Sequence, residues 1–147
     1  IQRRMQVLQI DDPVTFYERL RSEPQQIDLL FQDLLIGVTS FFRDPAAFDT
    51  LERLVIPKLF EGRRPDETVR VWVPGCATGE EAYSIAMLLK ENAPRGAASP
   101  RLQIFATDID ERALEVARAG RYPAAIASDV TPKRLKEFFH ARTAPTG

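Results

Sequence analysis

Two short stretches of this sequence hold the residue types that could do chemistry. In the first, Val71-Trp72-Val73-Pro74-Gly75-Cys76-Ala77-Thr78-Gly79-Glu80-Glu81, an apolar run passes through two glycines into a pair of acids. In the second, Leu102-Gln103-Ile104-Phe105-Ala106 leads through Thr107 into Asp108-Ile109-Asp110. An apolar strand that turns through glycines into a helix is how an open α/β sheet builds a cofactor site at the carboxyl ends of its strands. A carboxylate at the tip of the second strand is the group that accepts hydrogen bonds from ribose hydroxyls. Gly75, Gly79 and Asp108 are therefore the candidate binding residues, and the group they suit contains adenosine.

The spacing narrows the choice. The loop reads Gly75-x-x-x-Gly79 rather than G-x-G-x-x-G, the fingerprint that brings backbone close to a pyrophosphate. S-adenosylmethionine carries no phosphate, so the departure favours it over a nicotinamide dinucleotide. Asp108 follows Gly79 by 29 positions, against the roughly 20 of the dinucleotide pattern. The Ala-, Gly-, Pro- and Ser-rich connector from Asn92 to Pro100 accounts for the excess. Plainer readings stand beside these. Any strand-to-helix turn can carry a glycine, and Asp110 is equally suited to capping the helix that follows.

These residues need two strands and their helices to hold them. From Val69 the pattern predicts strand, helix (Glu80 to about Glu91), connector, strand and helix (Asp110 to about Ala119). A last helix from Thr131 to about His140 opens on a cap and a proline. Residues 1 to about 61 read as helical. Asp11-Asp12-Pro13 starts a helix that runs to about Arg21. Ser22-Glu23-Pro24 starts a second, with Ile27, Leu30, Phe31, Leu34 and Leu35 on one face. Asp44-Pro45 opens a third, striped by Phe48, Leu51, Leu54, Val55 and Leu59, and Gly62 with Pro65 breaks it. The expected division is thus a helical amino-terminal subdomain, 1–61, and an α/β domain, 69–147.

Composition excludes several classes. The chain has 147 residues, 44% of them hydrophobic, enough for a real core. A formal net charge of −1 gives no global pull toward nucleic acid or an anionic membrane. No apolar run approaches the ~20 residues that span a bilayer, so no membrane insertion is expected. A single cysteine, Cys76, forms no internal disulfide and suits a reducing compartment, the cytoplasm. No metal site is read from the sequence. The chain opens in mid-pattern at Ile1 without an initiator methionine, and is expected to be part of something longer.

Three separated segments resemble the CheR family of chemotaxis-receptor methyltransferases: Thr39-Ser40-Phe41-Phe42-Arg43-Asp44, VWVPGCATGEEAYSIAMLL at 71–89, and IFATDIDERALEVARAGRY at 104–122. They occur in the family's order, and the resemblance runs from about Arg3 to about Phe139. It implies a helical amino-terminal subdomain followed by the first half of a Rossmann-like, S-adenosylmethionine-dependent methyltransferase core. The family's Asn-x-x-x-Tyr-Phe-like motif of the fourth strand has no counterpart after His140. A two-strand piece of such a core would expose edges and apolar faces, and activity of this chain by itself is expected to be weak or absent.

Carried over position by position, the resemblance makes Thr39 and Arg43 cofactor contacts from the helical side, Glu80 the acid after the loop and Asp108 the ribose acid. Gly37 stands where some members have asparagine. The forked donors of Arg43 suit the methionyl carboxylate, Glu80 suits the α-amino group, and Phe41 or Phe42 is a candidate to face the sulfonium. The competing roles are an Arg43-Asp44 helix-start pair and core packing for both phenylalanines.

The implied reaction is methyl esterification of glutamate side chains on bacterial chemoreceptors. A glutamate with a pKa of about 4.3 is already an anion at neutral pH, so the attack needs no general base, and no residue is assigned as catalytic. Alignment in a low-polarity pocket supplies the acceleration. His140 reads as a surface residue at a helix end, and Cys76 as packing. Tyr122, in Gly120-Arg121-Tyr122, matches a recurrent Gly-x-Tyr of the family and is expected beside the cofactor-side loops. Arg3 and Arg4 resemble the basic helix that meets the acidic helices of a receptor's cytoplasmic part, or else form a solvated basic turn. Two other functions remain open: a non-catalytic cofactor-binding module within a larger signalling chain, and a methyltransferase acting on a small molecule or another protein.

Overall fold

The helix starts lie where local chemistry puts them. In the computed structural model, which describes residues 1–34, 39–96 and 99–142, Asp12 Oδ2 accepts from the Thr15 N–H at 2.7 Å and from its hydroxyl at 2.8 Å. Asp44 accepts from Ala47 N–H at 3.2 Å, and Thr131 from Arg134 N–H at 3.4 Å. Each cap precedes a proline at the first helical position, where a missing N–H costs nothing. Asp110, one of the alternatives weighed above, does cap its helix, accepting from Arg112 and Ala113.

The chain divides into two compact units, 1–37 and 38–147. In the first, α1 (Gln2–Val7), α2 (Pro13–Ser22) and α3 (Pro24–Leu34) bury Met5 and Phe16. The Arg4 guanidinium turns inward, donating to Gln26 Oε1 at 2.9 Å and lying 3.8 Å from Asp33. Arg4 is therefore engaged within its own unit, whereas Arg3 is exposed. The α3 stripe is less buried than its periodicity suggests: Ile27, Phe31 and Leu34 are each about half exposed within the chain. Leu35, Ile36, Gly37 and Val38 lie outside the described residues.

In the second unit, β1 (Thr68–Pro74) and β2 (Arg101–Thr107) pair in parallel, with Thr68 opposite Arg101 and Pro74 opposite Thr107. The crossover between them contains α6 (Glu80–Asn92), as a parallel pair requires. α7 (Glu111–Ala119), a 3-10 turn (Ala124–Ser128) and α8 (Pro132–Phe138) follow. One sheet face, with Val69, Val71, Val73, Leu102 and Ile104, enters the core with Leu88, Leu89 and Cys76. On the other, the register partners Trp72 and Phe105 stand 66% and 47% exposed. Parallel strands are ordinarily covered on both faces; the apolar exposure expected of two strands is present here.

The third predicted helix is built differently. α4 (Pro45–Thr50) passes through a π turn (Leu51–Val55) into α5 (Ile56–Phe60). The Ile56 N–H reaches back to the Leu51 carbonyl. Pro57 has no N–H to give Arg53, and its ring would crowd that carbonyl. The wider turn accommodates it. The extra residue turns Leu54 and Val55 outward, and Ile56 becomes the buried centre instead. Ile56 packs with Leu88 and Leu89 of α6, joined by Phe48, Leu51 and Leu59. The segment 45–60, expected with the amino-terminal helices, thus packs into the α/β unit.

Candidate functional site

The loop after β1 and the tip of β2 are tied together by backbone. Cys76 N–H donates to Thr107 O at 3.0 Å, and Gly79 N–H donates to Cys76 O at 2.8 Å. Asp108 completes the link: one carboxylate oxygen accepts from Ala77 N–H at 2.7 Å and the other from Asp110 N–H at 2.8 Å. The N–H groups of Asp110 and Ala77 hold the Asp108 carboxyl below its ordinary pKa, because they stabilise only the charged form. A carboxylate has about four lone-pair sites, so the fixed group keeps capacity for further donors such as a ribose diol.

The two loop glycines answer different needs. Gly75 has φ +66°, and a Cβ there would meet nothing within 4 Å. Gly79 has φ +97°, and its Cβ would stand 2.9 Å from Ala117 Cβ and 3.1 Å from the Tyr122 hydroxyl. Gly79 is required by the approach of α7, while Gly75 leaves open space over the loop. Ala77 takes φ +46° without being glycine, which orients its N–H for Asp108.

Glu80 begins α6, where a negative charge meets the positive end of the helix dipole. It accepts from the Thr78 hydroxyl at 2.6 Å. Tyr122 donates to Thr78 O at 2.7 Å, the place beside the loop expected for it. Burial, and next the charge of Glu80, push the Tyr122 phenol well above its ordinary pKa, so it remains a donor. Tyr83 ties α6 to α7 by donating to Ala117 O at 2.8 Å.

The segment 39–43 meets α6 from the other side. Thr39 is half-buried and Arg43 exposed. Arg43 lines one hollow with Glu81 and Ile85 and another with Ser40, Glu52 and Arg134. Both phenylalanines are engaged in packing. Phe41 is 2% exposed and packs edge-on against Tyr122 and Phe139. Phe42 packs edge-on against Phe48, and the Arg134 guanidinium lies 4.4 Å from its ring centroid, so that ring already has a cation. Arg134 is itself held by Glu91, its Nη2 lying 2.7 Å from Oε2.

The structure thus gathers Gly75, Gly79, Glu80 and Asp108 at one end of the sheet. Thr39 and Arg43 reach the same helix through a connection that sequence reasoning missed. Phe42 N–H donates to Ser84 Oγ at 3.1 Å, and Ser84 donates to Glu80 O at 2.7 Å. Its one sequence signal is a serine inside the apolar run of α6. Cys76 is buried, and burial followed by the Asp108 charge raises its thiol pKa, the behaviour of a packing residue rather than a nucleophile. His140 is exposed, beyond the end of α8. Among the described residues no group of three or more His, Cys, Asp or Glu is placed to hold a metal, and no helix is long and apolar enough to cross a membrane.

Residues 37–146 match the family described as CheR methyltransferase, SAM binding domain. The chain belongs to this family. It is 42% identical over 142 residues to an uncharacterized 104.1 kDa protein in the hypE 3′ region of Rhodobacter capsulatus, covering 97% of this chain and 15% of that one. It is 38% identical over 112 residues to a chemotaxis protein methyltransferase of Borreliella burgdorferi, covering 75% of this chain and 39% of that protein. Chemotaxis protein methyltransferase 2 of Pseudomonas aeruginosa is 33% identical over 145 residues, covering 99% and 50%. The chain therefore spans half or less of the length of these curated relatives. The cofactor of the matched domain is S-adenosyl-L-methionine, and the site suits it. The Asp108 carboxylate is preset by two N–H groups, the space above Gly75 is open, and Gly75-x-x-x-Gly79 lacks the phosphate fingerprint.

Proposed function

We propose that this chain forms the cofactor-binding part of a methyltransferase that esterifies glutamate side chains on the cytoplasmic helices of bacterial chemoreceptors, in the adaptation of chemotaxis signalling. The observation that carries the reading is the Asp108 carboxylate, locked at the tip of β2 against the glycine loop. In this reading Asp108 takes the ribose hydroxyls, Gly75 and Gly79 shape the loop, Glu80 takes the α-amino group, and Arg43 takes the carboxylate with Thr39 beside it. Bound there, S-adenosylmethionine supplies a methyl group activated by positively charged sulfur. The chain's residues orient it and exclude water, and the acceptor carboxylate, already anionic, needs no base. The work is expected in the cytoplasm, where the reduced Cys76 and the acceptor helices both belong.

Calorimetric titration with S-adenosylhomocysteine tests the reading, using wild type beside Asp108→Ala. A hydrogen bond to a charged group is worth about 1.5–3 kcal/mol, so the variant should bind roughly 10- to 100-fold more weakly. Equal affinity would remove Asp108 from the site, and a folded wild type that binds nothing would count against the assignment.

A second reading draws on one comparison. Because the match occupies only 15% of the Rhodobacter capsulatus protein, segments of this kind occur within long chains, and the domain would then bind the cofactor as a regulatory module without turnover. Methyl transfer to receptor peptides by the full-length protein separates the two readings.

A further inference from the structure

Ser84 is the one fully buried polar side chain among the described residues, at 0% exposure, and its hydroxyl is used in both directions. It accepts from Phe42 N–H at 3.1 Å and donates to Glu80 O at 2.7 Å. Phe42 itself has φ +50°, a left-handed conformation unfavourable for a bulky side chain. Strain of this kind persists where the surroundings over-determine it, and it gathers at functional sites. Here the surroundings are the Arg134 guanidinium over the ring, the edge of Phe48, and the Ser84 hydroxyl on the backbone. Only the Ser84 contact also touches the helix turn that carries Glu80.

We propose that Ser84 is a positioning residue: it holds the strained Phe42 turn against the first turn of α6 and thereby sets Arg43 relative to Glu80, so that both meet the amino-acid end of the cofactor. The inference rests on the cofactor roles proposed above for Arg43 and Glu80. It separates the site into two parts with different supports. The adenosyl side is held by the Ala77 and Asp110 N–H groups on Asp108, which do not involve Ser84, while on the methionyl side the Ser84 hydroxyl is the support that ties the Phe42 turn to α6.

The experiment compares two probes on the full chain, S-adenosylhomocysteine and 5′-methylthioadenosine, which lacks the amino-acid end. Ser84→Ala should weaken S-adenosylhomocysteine by about tenfold or more, the range of one lost charge-assisted contact. Binding of 5′-methylthioadenosine should change less than about twofold. In an Arg43→Ala background, Ser84→Ala should cost nothing further, because a residue acting through Arg43 has nothing left to position. Equal weakening of both probes would mean a general structural role and overturn the proposal. Unchanged binding of both, or full additivity with Arg43→Ala, would overturn it too. Should Ser84→Ala not fold, Ser84→Cys, which fills the space with a weaker hydrogen-bonding group, takes its place in the same comparison. Wild type that binds neither probe would refute the cofactor assignment itself; wild type that binds both with an indifferent Ser84→Ala refutes only this inference.

Discussion

Alanine at Gly79 and alanine at Gly75 should have opposite consequences, although the two glycines share one loop and one sign of φ. Both substitutions place a Cβ in a left-handed conformation, at +97° and +66°, which costs about 1–2 kcal/mol. Both also stiffen the unfolded chain, offsetting about 0.4–1 kcal/mol. These contributions are of the same kind at both positions, and because +97° lies outside the left-handed α region any remainder adds to the cost at residue 79. The rest of the difference is steric. The new methyl at residue 79 would lie 2.9 Å from Ala117 Cβ and 3.2 Å from Ala117 Cα. Neither neighbour is the far end of a flexible chain, so α7 must shift. Overpacking of this kind costs about 1–3 kcal/mol. The methyl at residue 75 meets nothing. Gly79→Ala should therefore be less stable than Gly75→Ala by about 1–3 kcal/mol. With a urea dependence of about 1–3 kcal/mol per molar, the midpoints should differ by roughly 1 M. Fluorescence of Trp72, the only tryptophan, reports unfolding of the unit concerned. S-adenosylhomocysteine titrations of the folded variants should show the reverse order, with Gly75→Ala the weaker binder, since its methyl occupies the open space above the loop. Equal midpoints, or a Gly75→Ala protein less stable than Gly79→Ala, would refute the assignment of packing to one glycine and ligand space to the other.

Two further outcomes are expected. The Asp108 pKa lies below its ordinary 3.8 in the folded chain, so its ionised form stabilises the fold above that pH, and the contribution disappears as pH falls through the lower, folded value; urea midpoints measured from pH 6 down to pH 3 should fall more steeply for wild type than for Asp108→Asn. Phe41→Leu should cost about 1–2 kcal/mol of stability through imperfect refilling of its core site, yet leave the ratio of S-adenosylmethionine to S-adenosylhomocysteine affinity unchanged; a ratio that drops would return the ring to the sulfonium.

The parts of this fold legible in the sequence are those decided within a few residues. Asp12, Asp44, Asp110 and Thr131 cap helices because a short acceptor before a proline or a helix former satisfies orphan N–H groups locally. The two strands are readable because near-continuous apolar runs between turn residues have few other uses. The strand-tip position of Asp108 follows from the same pattern. What escaped the sequence depends on neighbours distant along the chain. The third helix reads in sequence as one continuous stripe, and the burial of Ile56 in place of Leu54 and Val55 follows from what α6 offers it. Phe41 and Phe42 are adjacent aromatics until Met87, Val130 and Arg134 determine what each ring faces. Arg4 belongs to a basic pair in sequence, and only the fold brings Gln26 and Asp33 to it.

The two ends of the candidate site are held by different physics, and that difference has consequences. At the Asp108 end the partners are main-chain N–H groups of the loop and of the residue two positions on. A side-chain substitution elsewhere cannot delete these donors, so this end should tolerate much sequence change so long as the glycine loop keeps its path. At the Arg43 end a left-handed phenylalanine is held by a guanidinium over its ring, an aromatic edge and one buried hydroxyl. Each is a side chain that a single substitution removes. Packing transmits such losses as discrete rearrangements rather than gradual drift. Damage to the second unit's core near Phe42 should therefore reach the end proposed to hold the amino-acid part of the cofactor first and leave the end proposed for adenosyl intact.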